Sequence, residues 1–99
     1  MRDPTALIAF EWDQGNSEKS YRKHGITAKE AEEVFLDERS IVVEDIKHSG
    51  LEERSIIIGQ TFSGKLLFVV FIIRSTHIRV ISARVVNKKE RGQYEQKNT

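Results

Sequence analysis

Lys23-His24-Gly25 is the first point in the chain where side chains of catalytic type cluster. A histidine near a helix C-terminus has its cationic form favoured by the helix dipole, which suits a general acid near neutral pH. The same two basic residues also serve as ordinary members of a helix-ending turn. Arg54, Arg74, Arg79 and Arg84 form a second group. One strand arginine alone reads as part of a solvated face, but four beside a basic terminal segment point to anion binding, because guanidinium groups grip phosphate in a fork. Glu90, Arg91 and Tyr94 make a third group. Glu90 and Tyr94 are four apart and so share one face of a helix, with Arg91 close by. A tyrosine there stacks on a base or donates its hydroxyl; the alternative is a frayed, solvated terminal helix.

The charge distribution supports a polyanionic or acidic partner. Residues 74–99 hold seven Lys/Arg against two Glu, a local net of +5. Residues 1–60 hold eight basic and thirteen acidic side chains, a net of −5, and Lys65 brings the chain to its overall +1. A nearly neutral chain with one basic end presents that end to a nucleic acid or to an acidic protein. With no cysteine, thiolate zinc sites, disulfide scaffolds and cysteine nucleophiles are excluded. His24, His48 and His77 lack metal-ligand spacing, so neither a metal nor another cofactor is expected. Gly64-Lys65 belongs to no phosphate-binding loop of the Walker type, and no nucleophile elbow is present. The start Met1-Arg2-Asp3-Pro4-Thr5 does not lead into a signal-type segment, and the longest apolar run, Leu66 to Ile73, is too short to span a bilayer. A soluble, cytoplasmic protein without membrane contact is the expectation, with residues 1–99 forming one domain around one modest core.

The elements that position these groups follow from local pattern. Leu7 to Trp12 reads as a strand. Asp13 caps a polar helix that runs to about His24, where Gly25 ends it. Thr27-Ala28-Lys29-Glu30 is a capping box, and Ala28, Ala31, Val34 and Phe35 give the next helix its buried stripe. Strands follow at 40–44, 54–59, 66–73 and 77–84, with a loop at 47–50, a hairpin turn at 61–65 using Gly64, and a turn at Ser75-Thr76. Residues 66–73 are apolar throughout, as in a central strand covered on both faces. Asn87 caps a closing helix. This order implies an α+β fold with a mainly antiparallel sheet and helices packed on one face, leaving the other face partly open. Arg79 and Arg84 are five apart, so strict alternation sends them to opposite faces unless a bulge intervenes. With a two-residue turn at 75–76, Arg79 lies opposite Ile72, in the half of the sheet that holds Arg54, and Arg84 lies near Leu67 and the closing helix.

Beyond pattern, the chain resembles a known family. Phe10-Glu11-Trp12-Asp13, Arg22-Lys23-His24-Gly25-Ile26-Thr27, Glu30-Ala31 and Val34-Phe35 with Asp37 are similar to the N-terminal half of BrnT toxins. Glu53-Arg54, Ile58-Gly59, Val69-Val70, Arg79 to Arg84, and Glu90-Arg91 with Tyr94 continue the pattern in order, so the likeness spans roughly residues 10–94. It implies a RelE-like ribonuclease fold, with two N-terminal helices and a short C-terminal one, and cleavage of RNA without metal that arrests translation. It also implies neutralisation by a BrnA-type antitoxin in a toxin–antitoxin heterotetramer, which reaches operator DNA only through the antitoxin. Lys23, His24, Arg54, Arg74, Arg84 and Tyr94 are the site residues that the resemblance carries over, with His24 or Tyr94 moving a proton and the arginines clamping phosphate. The family often has lysine where this chain has Asn16 and asparagine where it has Ser20, so RNA contacts or the first helix should differ here.

Two rival functions fit the same residues. One is a non-catalytic module that binds RNA or an antitoxin on the same scaffold. The other is a regulatory or assembly subunit acting only through protein contacts. The proton-transfer candidate beside phosphate binders favours the enzyme.

Overall fold

The computed structural model describes residues 9–48, 50 and 52–99. The elements run β1 (Ala9–Phe10), α1 (Gln14–His24), α2 (Ala28–Val34), β2 (Ile41–Glu44), a 3₁₀ turn (Ile46–His48), β3 (Arg54–Gln60), β4 (Leu66–Arg74), β5 (His77–Val85) and α3 (Lys88–Lys97). The expected first strand is described only from residue 9, and its Leu7 and Ile8 lie outside the described residues, as does Ser49 of the expected 47–50 loop. Among the described residues no helix is long and apolar enough to cross a membrane.

Each helix starts with a reciprocal capping box: Asp13 with Asn16, Thr27 with Glu30, and Asn87 with Glu90. The side chains satisfy amide groups that have no partner inside the helix, which fixes where each helix begins. α1 stops at Gly25, whose φ of 72° lies in the left-handed region that a residue with Cβ rarely enters.

The sheet order is β1-β5-β4-β3-β2. Strands β2 to β5 form an antiparallel meander, and the two-residue β1 returns to pair parallel with the start of β5. β4 is central and mostly buried, although Ile73 near its end is exposed. One sheet face carries Ile57, Leu67, Val69, Phe71, Ile78, Val80 and Ala83, packed against Ile26, Ala31, Val34 and Phe35. The opposite face carries Ile58 and Leu66, covered by Tyr94 of α3 with Phe68, Ile56 and Ile41 alongside. The expectation of helices on one face therefore needs correction, because the closing helix covers part of the second face. Tyr94 supplies the apolar surface that makes this packing favourable.

The register of β4 and β5 shifts between Val70↔Ser82 and Phe71↔Val80, leaving Ile81 as the extra residue of a β-bulge. Residues directly opposite one another in a sheet share a face. Arg79 is opposite Ile72 and Arg84 is opposite Phe68, four residues along the same strand. The bulge thus brings the two arginines to one face, where strict alternation separates them. It also sends Ala83 into the core and turns Ser82 and Arg84 away from it.

Gly59 of β3 lies directly against Val34 at the end of α2. A Cβ there would lie 2.9 Å from Val34 Cγ1 and 3.0 Å from the Val34 carbonyl oxygen. We expect Gly59→Ala to destabilise the fold by about 1–3 kcal/mol through overpacking. Gly92→Ala, inside α3 where a Cβ meets nothing within 4 Å, should instead stabilise by about 0.5–1 kcal/mol. Urea unfolding of both variants checks the opposite signs.

Candidate active site

α1 lies along β5, where β1 has already ended. The β1 segment satisfies only the first part of that edge, through the Glu11 amide, which donates to the Ile78 carbonyl at 2.8 Å. Further along, side chains of α1 take over. Asn16 Nδ2 donates to the Val80 carbonyl at 3.1 Å and to the Glu11 carbonyl at 3.0 Å. Ser20 Oγ accepts the Ala83 amide at 2.8 Å. Asn16 Oδ1 meanwhile takes the Asp13 amide of the capping box at 2.7 Å. Both side chains are buried. Asn16 and Ser20, expected from the resemblance to be departures, thus bond the backbone in the interior of this chain.

This docking holds the last turn of α1 beside the part of β5 that follows the bulge. Between them is an open cavity of about 410 Å³ lined by Lys19, Ser20, Lys23, His24, Ser82 and Arg84. Three cations, one imidazole and two hydroxyls line a common space, of the cations only Arg84 is held by side-chain bonds among the described residues, and none of these lining residues is acidic. Lys19 and Lys23, four apart, share a helical face. That spacing was the available sequence signal for Lys19. Ser82 was marked only by its place in the Arg79 to Arg84 stretch of the resemblance, because the bulge decides its direction.

Arg84 is held from behind. Its Nη1 and Nη2 each donate to one carboxylate oxygen of Glu90 at 2.8 Å, Nη1 also reaches the Val85 carbonyl at 3.2 Å, and the guanidinium carbon lies 4.1 Å from the centre of the Phe68 ring. Glu90 is aimed by the first turn of α3, where Asn87 N donates to its Oε1 at 2.9 Å. A guanidinium has five N–H donors, so Nε–H and one Nη2–H remain for a ligand. The Arg84 charge holds the Glu90 carboxyl below the usual carboxylate range, with the side-chain hydrogen bond as the main cause.

Of the six residues expected in the site, Lys23, His24 and Arg84 share this cavity. Arg54, Arg74 and Tyr94 do not line it. Arg54 begins β3 opposite Ile72, four positions along β4 from the partner of Arg84. Arg74 forks onto Glu52 at 2.8 and 3.1 Å and also reaches Glu11 at 3.2 Å. Arg79 joins that network through Glu11 at 3.1 Å and Asp13 at 2.9 Å. Tyr94 donates its hydroxyl to Asp37 Oδ2 at 2.7 Å, and burial, then this bond, pushes its pKa up to about 12. Its proton is committed to Asp37, which also accepts the Gln60 and Arg39 amides. The helical face that Glu90 and Tyr94 share is thus anchored at two separate places.

A family model for the BrnT ribonuclease toxin of type II toxin–antitoxin systems matches residues 12–90. The chain belongs to this toxin family. Every residue lining the cavity, and Glu90 behind it, falls within the BrnT match. The structure is similar to the crystal structure of the Brucella abortus ribonuclease toxin BrnT, with a TM-score of 0.62 at 23% identity. That likeness covers 83% of this chain and 99% of the other, and shows a common fold. No curated protein matches the chain.

The Glu90–Arg84 fork yields a pH-dependent outcome. Glu90 has its folded pKa depressed, so its contribution is present above the unfolded carboxylate value and is lost as pH falls through the lower folded value. Glu90→Gln should cost about 1 kcal/mol at neutral pH, discounted for the partial exposure of Arg84. The gap between wild type and variant should close on acidification below the usual carboxylate range. Urea unfolding at neutral and acidic pH measures it; a gap that widens on acidification would contradict the assignment.

Proposed function

We propose that this protein is a RelE-like, metal-independent endoribonuclease that acts in the cytoplasm as the toxin of a type II toxin–antitoxin pair and arrests translation by cutting RNA. The observation that carries this reading is the cavity where His24 faces Lys19, Lys23 and Arg84. Attack of a ribose 2′-oxygen on the adjacent phosphate requires removal of the 2′-proton, charge stabilisation on the crowded phosphorus and protonation of the departing 5′-oxygen. The products are a 2′,3′-cyclic phosphate and a 5′-hydroxyl end. His24 suits the proton transfers, since an imidazole offers a proton donor and a proton acceptor on one ring. Lys19, Lys23 and the unspent donors of Arg84 suit the phosphate, and Arg84, held by Glu90, stabilises charge as it develops without reorganising.

In this reading the catalytic group is Lys19, Lys23, His24 and Arg84. Tyr94 serves as the anchor of α3, and Arg74 ties β4 to Glu11 and Glu52; both act on the site through the fold. Arg54 is assigned to RNA contact outside the centre. A BrnA-type antitoxin is the proposed neutralising partner, in a heterotetramer that meets operator DNA through the antitoxin.

Incubation of the purified protein with RNA in EDTA tests the proposal. Wild type should produce fragments ending in cyclic phosphate, and His24→Ala or Arg84→Ala should slow cleavage by about 100-fold or more. Induction of the toxin alone should slow bacterial growth, and the His24 variant should restore it. Salt-sensitive RNA binding with no fragments would establish the non-catalytic module instead. Capture of an acidic partner with neither binding nor cleavage would establish the assembly subunit.

A further inference from the structure

Two hydroxyls line the cavity, and the fold uses them differently. Ser20 is buried and its Oγ accepts the Ala83 amide, so its role is to hold α1 on β5. Ser82 is half-buried, and its hydroxyl has no hydrogen-bond partner among the described residues. The sheet departs from regularity to place it. Continued without a bulge, the register at Phe71↔Val80 would set Ile81 opposite Val70 and Ser82 opposite Val69. Val69 is fully buried in the core, so Ser82 would then carry an unmatched hydroxyl into apolar surroundings. The extra residue instead sets Ser82 opposite Val70 and Arg84 opposite Phe68, on the face away from that core. Residues two apart on a strand point the same way and stand about 6–7 Å from each other. One phosphate, with hydrogen bonds of about 2.8 Å to two of its oxygens, spans that gap.

We propose that Ser82 is a further catalytic residue, whose hydroxyl donates a hydrogen bond to one non-bridging oxygen of the scissile phosphate while Arg84 holds the other. The inference rests on the RNA reading above and adds a neutral donor to its cations. The bond from the 2′-oxygen to phosphorus forms and the bond to the 5′-oxygen breaks. The proton lost by the 2′-hydroxyl and the one gained by the 5′-oxygen are left to His24, and Ser82 keeps its own proton throughout. Negative charge grows meanwhile on the non-bridging oxygens, and a donor mounted on a strand meets it without moving. An uncharged hydroxyl exerts no long-range pull on the strand. Ser82 therefore acts on the phosphate already in place and leaves the salt dependence of RNA binding to the cations.

The test uses the linkage that wild type cuts in a short RNA, made again with sulfur in place of either one or the other non-bridging oxygen. Sulfur accepts hydrogen bonds weakly. Wild type, Ser82→Ala and Ser82→Thr are compared on all three substrates in single turnovers. On the all-oxygen RNA, Ser82→Ala should be slower by about 10- to 100-fold, the range for a hydrogen bond to a charged group. Ser82→Thr keeps the hydroxyl on a side chain suited to a strand and should retain most of the wild-type rate. Sulfur at one of the two positions should slow wild type and cause no further loss in Ser82→Ala. A Ser82→Ala rate equal to wild type overturns the proposal while the ribonuclease reading stands. So does a slow Ser82→Ala that responds to both sulfur positions as wild type does, or an equal loss in Ser82→Thr, since either marks a structural role. If wild type cuts no RNA, the ribonuclease reading falls and takes the role of Ser82 with it.

Discussion

The outer edge of β5 presents backbone groups that the two-residue β1 is too short to satisfy. A buried amide or carbonyl left without a partner costs about 1–3 kcal/mol, so this edge must be closed by something other than a strand. Asn16 and Ser20 close it from the side of α1, and almost every functional feature follows. α1 has little apolar surface, so hydrogen bonds rather than hydrophobic burial fix its place against the sheet. Its last turn, with Lys23 and His24, is carried to the stretch of β5 that bears Ser82 and Arg84. The bulge at Ile81 completes the arrangement by turning those two side chains out of the core. Helix docking and strand direction are thus solved at the same few residues.

The basic C-terminal segment does not survive folding as a uniform patch. Acidic residues from the rest of the chain fold back onto it: Glu11 and Asp13 meet Arg79, and Glu11 and Glu52 meet Arg74. Those arginines join distant parts of the chain across the sheet. Arg84 is treated differently, since its carboxylate partner Glu90 leaves some of its donors unspent while the residue lines the cavity. A charge count along the sequence sees the total, while the fold determines which cations are still available to a ligand.

What the sequence made legible was local. The caps at Asp13, Thr27 and Asn87, the turn at Gly64 and the run of strands depend on interactions within a few residues. The family pattern reached further, since it tied Lys23 and His24 to Arg84 across most of the chain. What stayed hidden was long-range or geometric. Nothing in Val80-Ile81-Ser82-Ala83 announces a bulge, because no glycine or proline marks it. Asn16 and Ser20 read as polar helix residues until β5 is laid beside them, 63 residues away for Ser20 and Ala83. Tyr94 was legible as a functional tyrosine, yet its hydroxyl meets Asp37, a partner that only the packing of α3 against the sheet supplies.

The separation of Ser20 from Ala83 along the chain has a consequence for biosynthesis. A ribosome delivers α1 early, so Lys23 and His24 emerge long before their partner strand exists. Until β5 has been made, no edge is available for Asn16 and Ser20 to close, and the cavity has no second wall. Arg84 then gains its backing carboxylate only when Glu90 has followed. Neither wall of the cavity is complete on its own, so the proposed centre exists only once nearly the whole chain has been made.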